Sequence, residues 1–143
     1  MQKSQVLILC TGNSCRSQMA EGIVRHLYGE SCDVFSAGTH PSFVHPTALK
    51  VLAEIGIDGS SQESTSVNEF QSKPMDIVVT VCDAAKENCP VFFNSAKQLH
   101  WSFSDPAAIE GSEDYILNGF RTIRDEILVK FRMEFGQYLQ EQS

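Results

Sequence analysis

Cys10 and Arg16 frame the stretch "CTGNSCRS" near the start of the chain, with C-x5-R spacing. A cysteine is nucleophilic as its thiolate, and a guanidinium is a planar fork that matches two oxygens of a tetrahedral anion. Between them, Thr11, Gly12, Asn13 and Ser14 are small or turn-prone. Such a backbone can curl with its N–H groups inward as an anion nest at a helix start. Those N–H groups, the helix dipole and Arg16 are expected to depress the Cys10 pKa. A thiolate beneath a cradled oxyanion is placed to attack its central atom.

Holding that loop requires a strand before it and a helix after it. Ser4 to Cys10 reads as a buried strand, and Gln18 to Tyr28 as a helix with Met19, Ile23 and Leu27 on one face. Asp33 to Ala37 reads as a second strand. Pro46 suits a first helical position, and Ala48, Leu49, Leu52 and Ile55 continue an apolar face to Gly56. Ser66 and Glu69 have capping-box spacing for a short helix. Asp76 to Val81 is the third strand and Lys97 to Trp101 the fourth. Ile116, Phe120, Ile123, Ile127, Phe131 and Phe135 recur at helical intervals, which predicts one long C-terminal helix.

This alternation predicts an α/β fold: one domain over residues 1–143, with a four-stranded parallel sheet flanked by helices on both faces. Ligands in such sheets bind beyond the carboxyl ends of the strands, where the strand order reverses. The first strand ends at Cys10 and the third leads into Cys82. If those strands are neighbours, roughly 4.8 Å apart, their thiols can approach each other.

The 143 residues carry a formal net charge of -7, with a pI near 5.0, which argues against nucleic-acid and anionic-membrane surfaces. No apolar run approaches the ~20 residues of a membrane span, and the N-terminal apolar segment is short for a signal peptide. A cytoplasmic, monomeric protein is expected. In that reducing compartment Cys10, Cys15, Cys32, Cys82 and Cys89 read as catalytic, redox-active or buried thiols rather than as a disulfide framework. Zinc is disfavoured, because Cys82 and Cys89 lack short zinc-type spacing and His26, His40, His45 and His100 are scattered.

The stretch "VLILCTGNSCRSQMAEG" closely resembles the phosphate loop of low-molecular-weight protein tyrosine phosphatases and of the thioredoxin-coupled arsenate reductases built on the same fold. The likeness continues in "SAGTHP", "HPTALKVLAEIGID", "DIVVTVCDAAKENCP" and "HWSFSDPA", and so spans nearly the whole chain. It implies the phosphatase-like fold, with an oxyanion held by residues Thr11 to Ser17. A tyrosine phosphatase of this family carries aromatic residues after its Asp-Pro. Here Asp105-Pro106 is followed by Ala107 and Ala108, which weakens that reading.

The resemblance instead implies arsenate reduction by a relay of three cysteines. Cys10 attacks arsenic, Cys82 attacks the Cys10 sulfur and expels arsenite, and Cys89 attacks Cys82. The remaining Cys82–Cys89 disulfide is reduced by thioredoxin or, alternatively, by glutaredoxin with glutathione. If Cys82 to Cys89 were one regular helix, their Cα atoms would be roughly 10 Å apart, whereas a disulfide spans about 4.4 to 6.8 Å. The segment must therefore unwind on oxidation. It carries no large apolar residue, so loosening it exposes little hydrophobic surface.

Other roles follow from the same likeness. Asp105 protonates the departing oxygen if burial raises its pKa, Ser17 donates to the Cys10 thiolate, and Asn13 holds the loop shape. Cys15, inside the loop, is structural, and Cys32 is a bystander. No cofactor is tightly bound. A potassium ion beside Asn13, Glu21 and Ser36 is part of the family pattern, although the Gln62-Glu63-Ser64-Thr65 stretch departs from the Thr and Asp that complete it. Two alternatives remain: a low-molecular-weight phosphatase, whose activity can also persist as a weak side reaction, and a non-enzymatic thiol-based oxyanion or redox sensor.

Overall fold

The structure is a computed structural model that describes residues 3–142. Its centre is β1 (Ser4–Cys10), whose Val6, Leu7, Ile8 and Leu9 are all fully buried. Side chains alternate across a strand, so burial of consecutive residues means that both faces of β1 are covered. Each such side chain contributes about 1.5–3 kcal/mol relative to exposure. β2 (Cys32–Gly38) and β3 (Ile77–Thr80) pair with β1 on either side, and β4 (Lys97–His100) pairs with β3. All pairings are parallel and the order is β2-β1-β3-β4. The strand order therefore reverses at β1, and the thiols at the ends of β1 and β3 become neighbours.

The helices are α1 (Arg16–Tyr28), α2 (Pro46–Ala53), α3 (Asp83–Glu87), α4 (Glu113–Glu134) and α5 (Gly136–Gln142). α1, α2 and α4 pack on one another, and Met19, Ile23, Phe120, Ile127 and Phe131 are buried in the shared core. Pro46 occupies the first turn of α2, and the His45 side chain caps it by accepting from the Thr47 N–H. The capping-box segment forms a 3-10 turn (Val67–Phe70), with Ser66 accepting from Asn68 N–H.

β2, β3 and β4 differ by a residue at one or both ends from the sequence reading, with Cys32 now opening β2, and two helices differ further. α1 begins at Arg16 rather than Gln18, because the phosphate loop runs directly into helical backbone. The predicted long C-terminal helix is divided at Phe135 into α4 and α5, yet Phe131, Phe135 and Leu139 all remain buried. Among the described residues no helix is long and apolar enough to cross a membrane.

Candidate active site

The loop after β1 is held by its carbonyls. Cys10 O accepts from Thr39 N, Thr11 O from His40 N, Gly12 O from Ser42 N and Ser14 O from His45 N. Asn13 O accepts from Gln18 Nε2, and Cys15 O from Met19 N. Every carbonyl from Cys10 to Cys15 is thus engaged. The N–H groups of Gly12, Asn13, Ser14 and Cys15 have no acceptor among the described residues. A loop with its carbonyls tied outward and its donors free is an anion nest.

Two residues permit this curl. Asn13 has φ 48°, in the left-handed region that asparagine tolerates better than most residues. Its side chain donates to Ser17 Oγ at 2.8 Å and to Ser36 Oγ at 2.9 Å, and its Oδ1 accepts from Thr65 N. Gly38 ends β2 beside the loop, where a Cβ would lie 2.5 Å from Thr11 O. Only glycine lets the two segments approach so closely.

The buried Cys10 thiol lies 3.5 Å from Cys82 Sγ, as expected from neighbouring strand ends. Thr11 Oγ1 is 3.4 Å from Cys82 Sγ, a contact not foreseen from sequence. The two thiols share a proton. The hydrogen bond from Cys10 is the largest influence bringing Cys82 down to about 5; Thr11, the Ala85 N–H and Arg16 assist, against the cost of burial. The same bond, followed by burial, pushes Cys10 well above its usual range despite Arg16. The expected depression of Cys10 is thus corrected: in this pairing Cys10 is the hydrogen-bond donor and Cys82 the acceptor, so the bond favours the thiolate at Cys82 over Cys10.

Arg16 donates to Phe103 O at 3.1 Å, and its other terminal nitrogen lies 3.8 Å from Asp105 Oδ2. This ties the far side of the nest to the segment after β4. Asp105 is not buried as its expected acid role required: its side chain is 45% exposed, and Oδ1 caps the turn Pro106–Ala108 through Ala107 N–H. Ser17 is buried and accepts from Asn13, but makes no hydrogen bond to Cys10 among the described residues. Ser14 and the buried Cys15 complete the loop; burial pushes the Cys15 thiol up to about 11. Cys32 lies apart at the start of β2, where burial likewise brings it up to about 11.

Asn13, Ser36 and Glu21 do come together. Ser36 Oγ donates to Glu21 Oε1, and Arg25 donates to Glu21 Oε2 at 2.7 Å. The i, i+4 spacing of Glu21 and Arg25 was a readable signal for that pair. Cys89 is half-buried beyond the short α3, and the five cysteines are all free thiols. No group of three or more His, Cys, Asp or Glu side chains able to hold a metal occurs among the described residues.

A strand that delivers a thiol into a ring of unpaired amides, closed by an arginine at the reversal of a parallel sheet, defines a phosphatase-like oxyanion-binding protein. Residues 5–142 match the family described as low molecular weight phosphotyrosine protein phosphatase, and the chain belongs to that family. Within it, the chain is 44% identical over 127 residues to an arsenate reductase of Halalkalibacterium halodurans, covering 89% of this chain and 91% of that protein. Its structure is similar to that of an arsenate reductase in the phosphate binding state, with a TM-score of 0.81 and 32% identity over 94% of this chain and 98% of that one. A Corynebacterium glutamicum thioredoxin-dependent arsenate reductase is also similar (TM-score 0.71, 26% identity); the likeness covers 99% of this chain and 64% of that one.

Proposed function

We propose that the protein is an arsenate reductase in which Cys10, Cys82 and Cys89 form a thiol relay completed by thioredoxin. The observation that carries this reading is the 3.5 Å approach of Cys10 and Cys82 beside the amide nest. A hydrolytic enzyme needs one nucleophile there, whereas a two-electron reductant needs two sulfurs within reach of each other.

Arsenate enters the nest and places two oxygens on Arg16, which leaves Phe103 O to meet them. The Cys10 proton passes to the Cys82 thiolate or to the anion itself. Cys10 then attacks arsenic, and a hydroxyl of the arsenate takes a proton from solvent and departs as water; Asp105, exposed and capping Ala107 N–H, is not assigned that proton. After Cys82 loses its proton again, its thiolate attacks the Cys10 sulfur. The electron pair of the breaking S–As bond stays on arsenic, which leaves as arsenite. Cys89, as thiolate, attacks Cys82 and expels the Cys10 thiolate. The dithiol of thioredoxin returns the two electrons and two protons needed to open the Cys82–Cys89 disulfide; glutaredoxin with glutathione is the alternative donor. The cytoplasm supplies either.

The implied potassium ion fits these residues poorly. Both Glu21 oxygens are engaged, one by Ser36 and the other by the guanidinium of Arg25. The Gln62 to Thr65 stretch lacks the Asp that completes the implied pattern, and Thr65 bonds Asn13 through its backbone. No step is assigned to the ion.

The test is arsenate-dependent NADPH consumption with thioredoxin and thioredoxin reductase. Cys10→Ser, Cys82→Ser and Cys89→Ser are each expected to abolish sustained turnover, while Cys15→Ser and Cys32→Ser retain it. Sustained turnover by Cys82→Ser or Cys89→Ser at the native rate refutes the relay. Aryl phosphate hydrolysis far above arsenate turnover would instead favour a phosphatase.

A further inference from the structure

In the relay just proposed, on which this inference rests, α3 must give up its place. Cys82 precedes its first residue, and Cys89 follows the terminal Asn88. Backbone bonds from Lys86 N to Cys82 O and from Asn88 N to Ala84 O hold the turn helical. Cys82 and Cys89 thus flank a short helix rather than lie in one, and the turn between them must open for their Cα atoms to come within about 7 Å, the limit that a disulfide tolerates.

Little anchors this segment to the body of the protein. Ala85 is its buried side chain. Asp83, beside Cys82, receives a hydrogen bond at 2.8 Å from His100 Nε2 at the end of β4. The other imidazole nitrogen, Nδ1, lies 2.7 Å from Thr80 Oγ1 on β3. The carboxylate can only accept, so Nε2 carries a proton in this pairing. The side chains of Lys86, Glu87, Asn88 and Cys89 make no hydrogen bond or ion pair to residues outside 83–90 among the described residues. Among the described residues Asp83–His100 is therefore the ion-paired tie between α3 and the sheet, and Ser102, just beyond β4, also hydrogen-bonds the Asp83 carboxylate.

We propose that Asp83 and His100 act as a positioning latch, which holds α3 in the dithiol conformation and releases when Cys89 bonds to Cys82. The exchange itself is balanced without either residue: Cys89 Sγ bonds to Cys82 Sγ, the Cys10–Cys82 bond breaks, and Cys10 leaves as thiolate. The latch sets how far the equilibrium between the dithiol and disulfide forms leans to the dithiol. Lys86 on α3 and Glu126, Lys130 and Glu134 on α4 also place charge near the pair. Those charges are unchanged in the variants below.

The native chain, Asp83→Asn, His100→Gln and the double variant are equilibrated with graded ratios of oxidised and reduced dithiothreitol. The Cys82–Cys89 disulfide is then quantified by alkylation and peptide mass spectrometry, and circular dichroism verifies folding. Each single variant is expected to shift the equilibrium about threefold toward the disulfide, the scale of a partly exposed ion pair. The double variant is expected to shift no further, because either change opens the same latch.

A mere charge effect on the Cys82 thiolate gives opposite shifts, since one variant removes a negative charge and the other a group able to carry positive charge. Opposite shifts, additive shifts or no shift overturn the latch while the relay stands. Failure of the native chain to form a Cys82–Cys89 disulfide at any ratio overturns the relay and the latch together.

Discussion

Replacing Gly38 with alanine tests whether the nest depends on backbone proximity rather than on its side chains. The added Cβ would lie 2.5 Å from Thr11 O, 3.0 Å from Asn13 N and 3.1 Å from Asn13 Cβ. Restoring ordinary contact requires the loop to retreat by about 0.5 to 0.9 Å, and misplacement on the order of 1 Å at a reacting centre costs about 10²-fold in rate. That corresponds to about 2.7 kcal/mol of lost transition-state stabilisation. Such crowding destabilises a fold by about 1–3 kcal/mol, so the variant is expected to remain folded with a melting temperature lower by several degrees. Arsenate turnover coupled to thioredoxin reads the first effect and calorimetry the second. A Gly38→Ala protein with kcat/KM within twofold of native refutes the reasoning, because the loop would then tolerate the displacement that the geometry forbids.

Alkylation of Cys82, followed by peptide mapping, is expected to continue at a nearly constant rate from pH 7 to near pH 5 and then to fall about tenfold per unit, since its thiolate pKa is about 5. In Cys10→Ala the midpoint should rise, because the largest influence lowering it is gone; an unchanged midpoint contradicts the shared proton. Glu54, bonded to Arg121 and Arg124, has its pKa lowered from 4.5 to about 2, first by the hydrogen bond from Arg121. Its folded value lies below its unfolded one, so its contribution is complete above about pH 4.5 and disappears as the pH falls toward 2. The melting-temperature gap between native and Glu54→Gln proteins should follow that course, and a gap independent of pH would count against it. Replacing potassium by tetramethylammonium at constant ionic strength should alter native turnover less than about twofold, because Arg25 already occupies Glu21; strong stimulation by potassium contradicts this.

The parts of the site carried by consecutive residues were legible in the sequence. An uninterrupted apolar run into Cys10 meant a strand buried on both faces, and C-x5-R with small residues between meant a curled donor loop. The alternation of elements allowed β1 and β3 to be neighbours, and on that condition the thiols of Cys10 and Cys82 could approach each other; the strand order β2-β1-β3-β4 meets the condition. What escaped depends on distances across the fold. Proton sharing between the thiols reverses the expected direction for Cys10, and no local spacing reports it. Ser17 was expected to donate to Cys10; its Oγ accepts from Asn13, whose left-handed backbone sets where its amide reaches, and the hydroxyl proton stays available. Burial of Asp105 could not be judged from Asp-Pro alone. The break at Phe135 was hidden because α5 continues the same apolar face.

The hydrogen bond between Cys10 and Cys82 joins positions 72 residues apart. Neither thiol has its distinctive acidity until β3 has docked against β1, and this docking is a non-local event that pays its loop-closure entropy before any contact rewards it. A nascent chain that has exposed Cys10 but not yet β3 therefore carries an ordinary thiol in an unformed loop. The acidity of Cys82 arrives with the completed sheet, so the synthesis of this chain exposes no activated sulfur to oxidants or stray electrophiles before the Cys10 partner that governs it is in place.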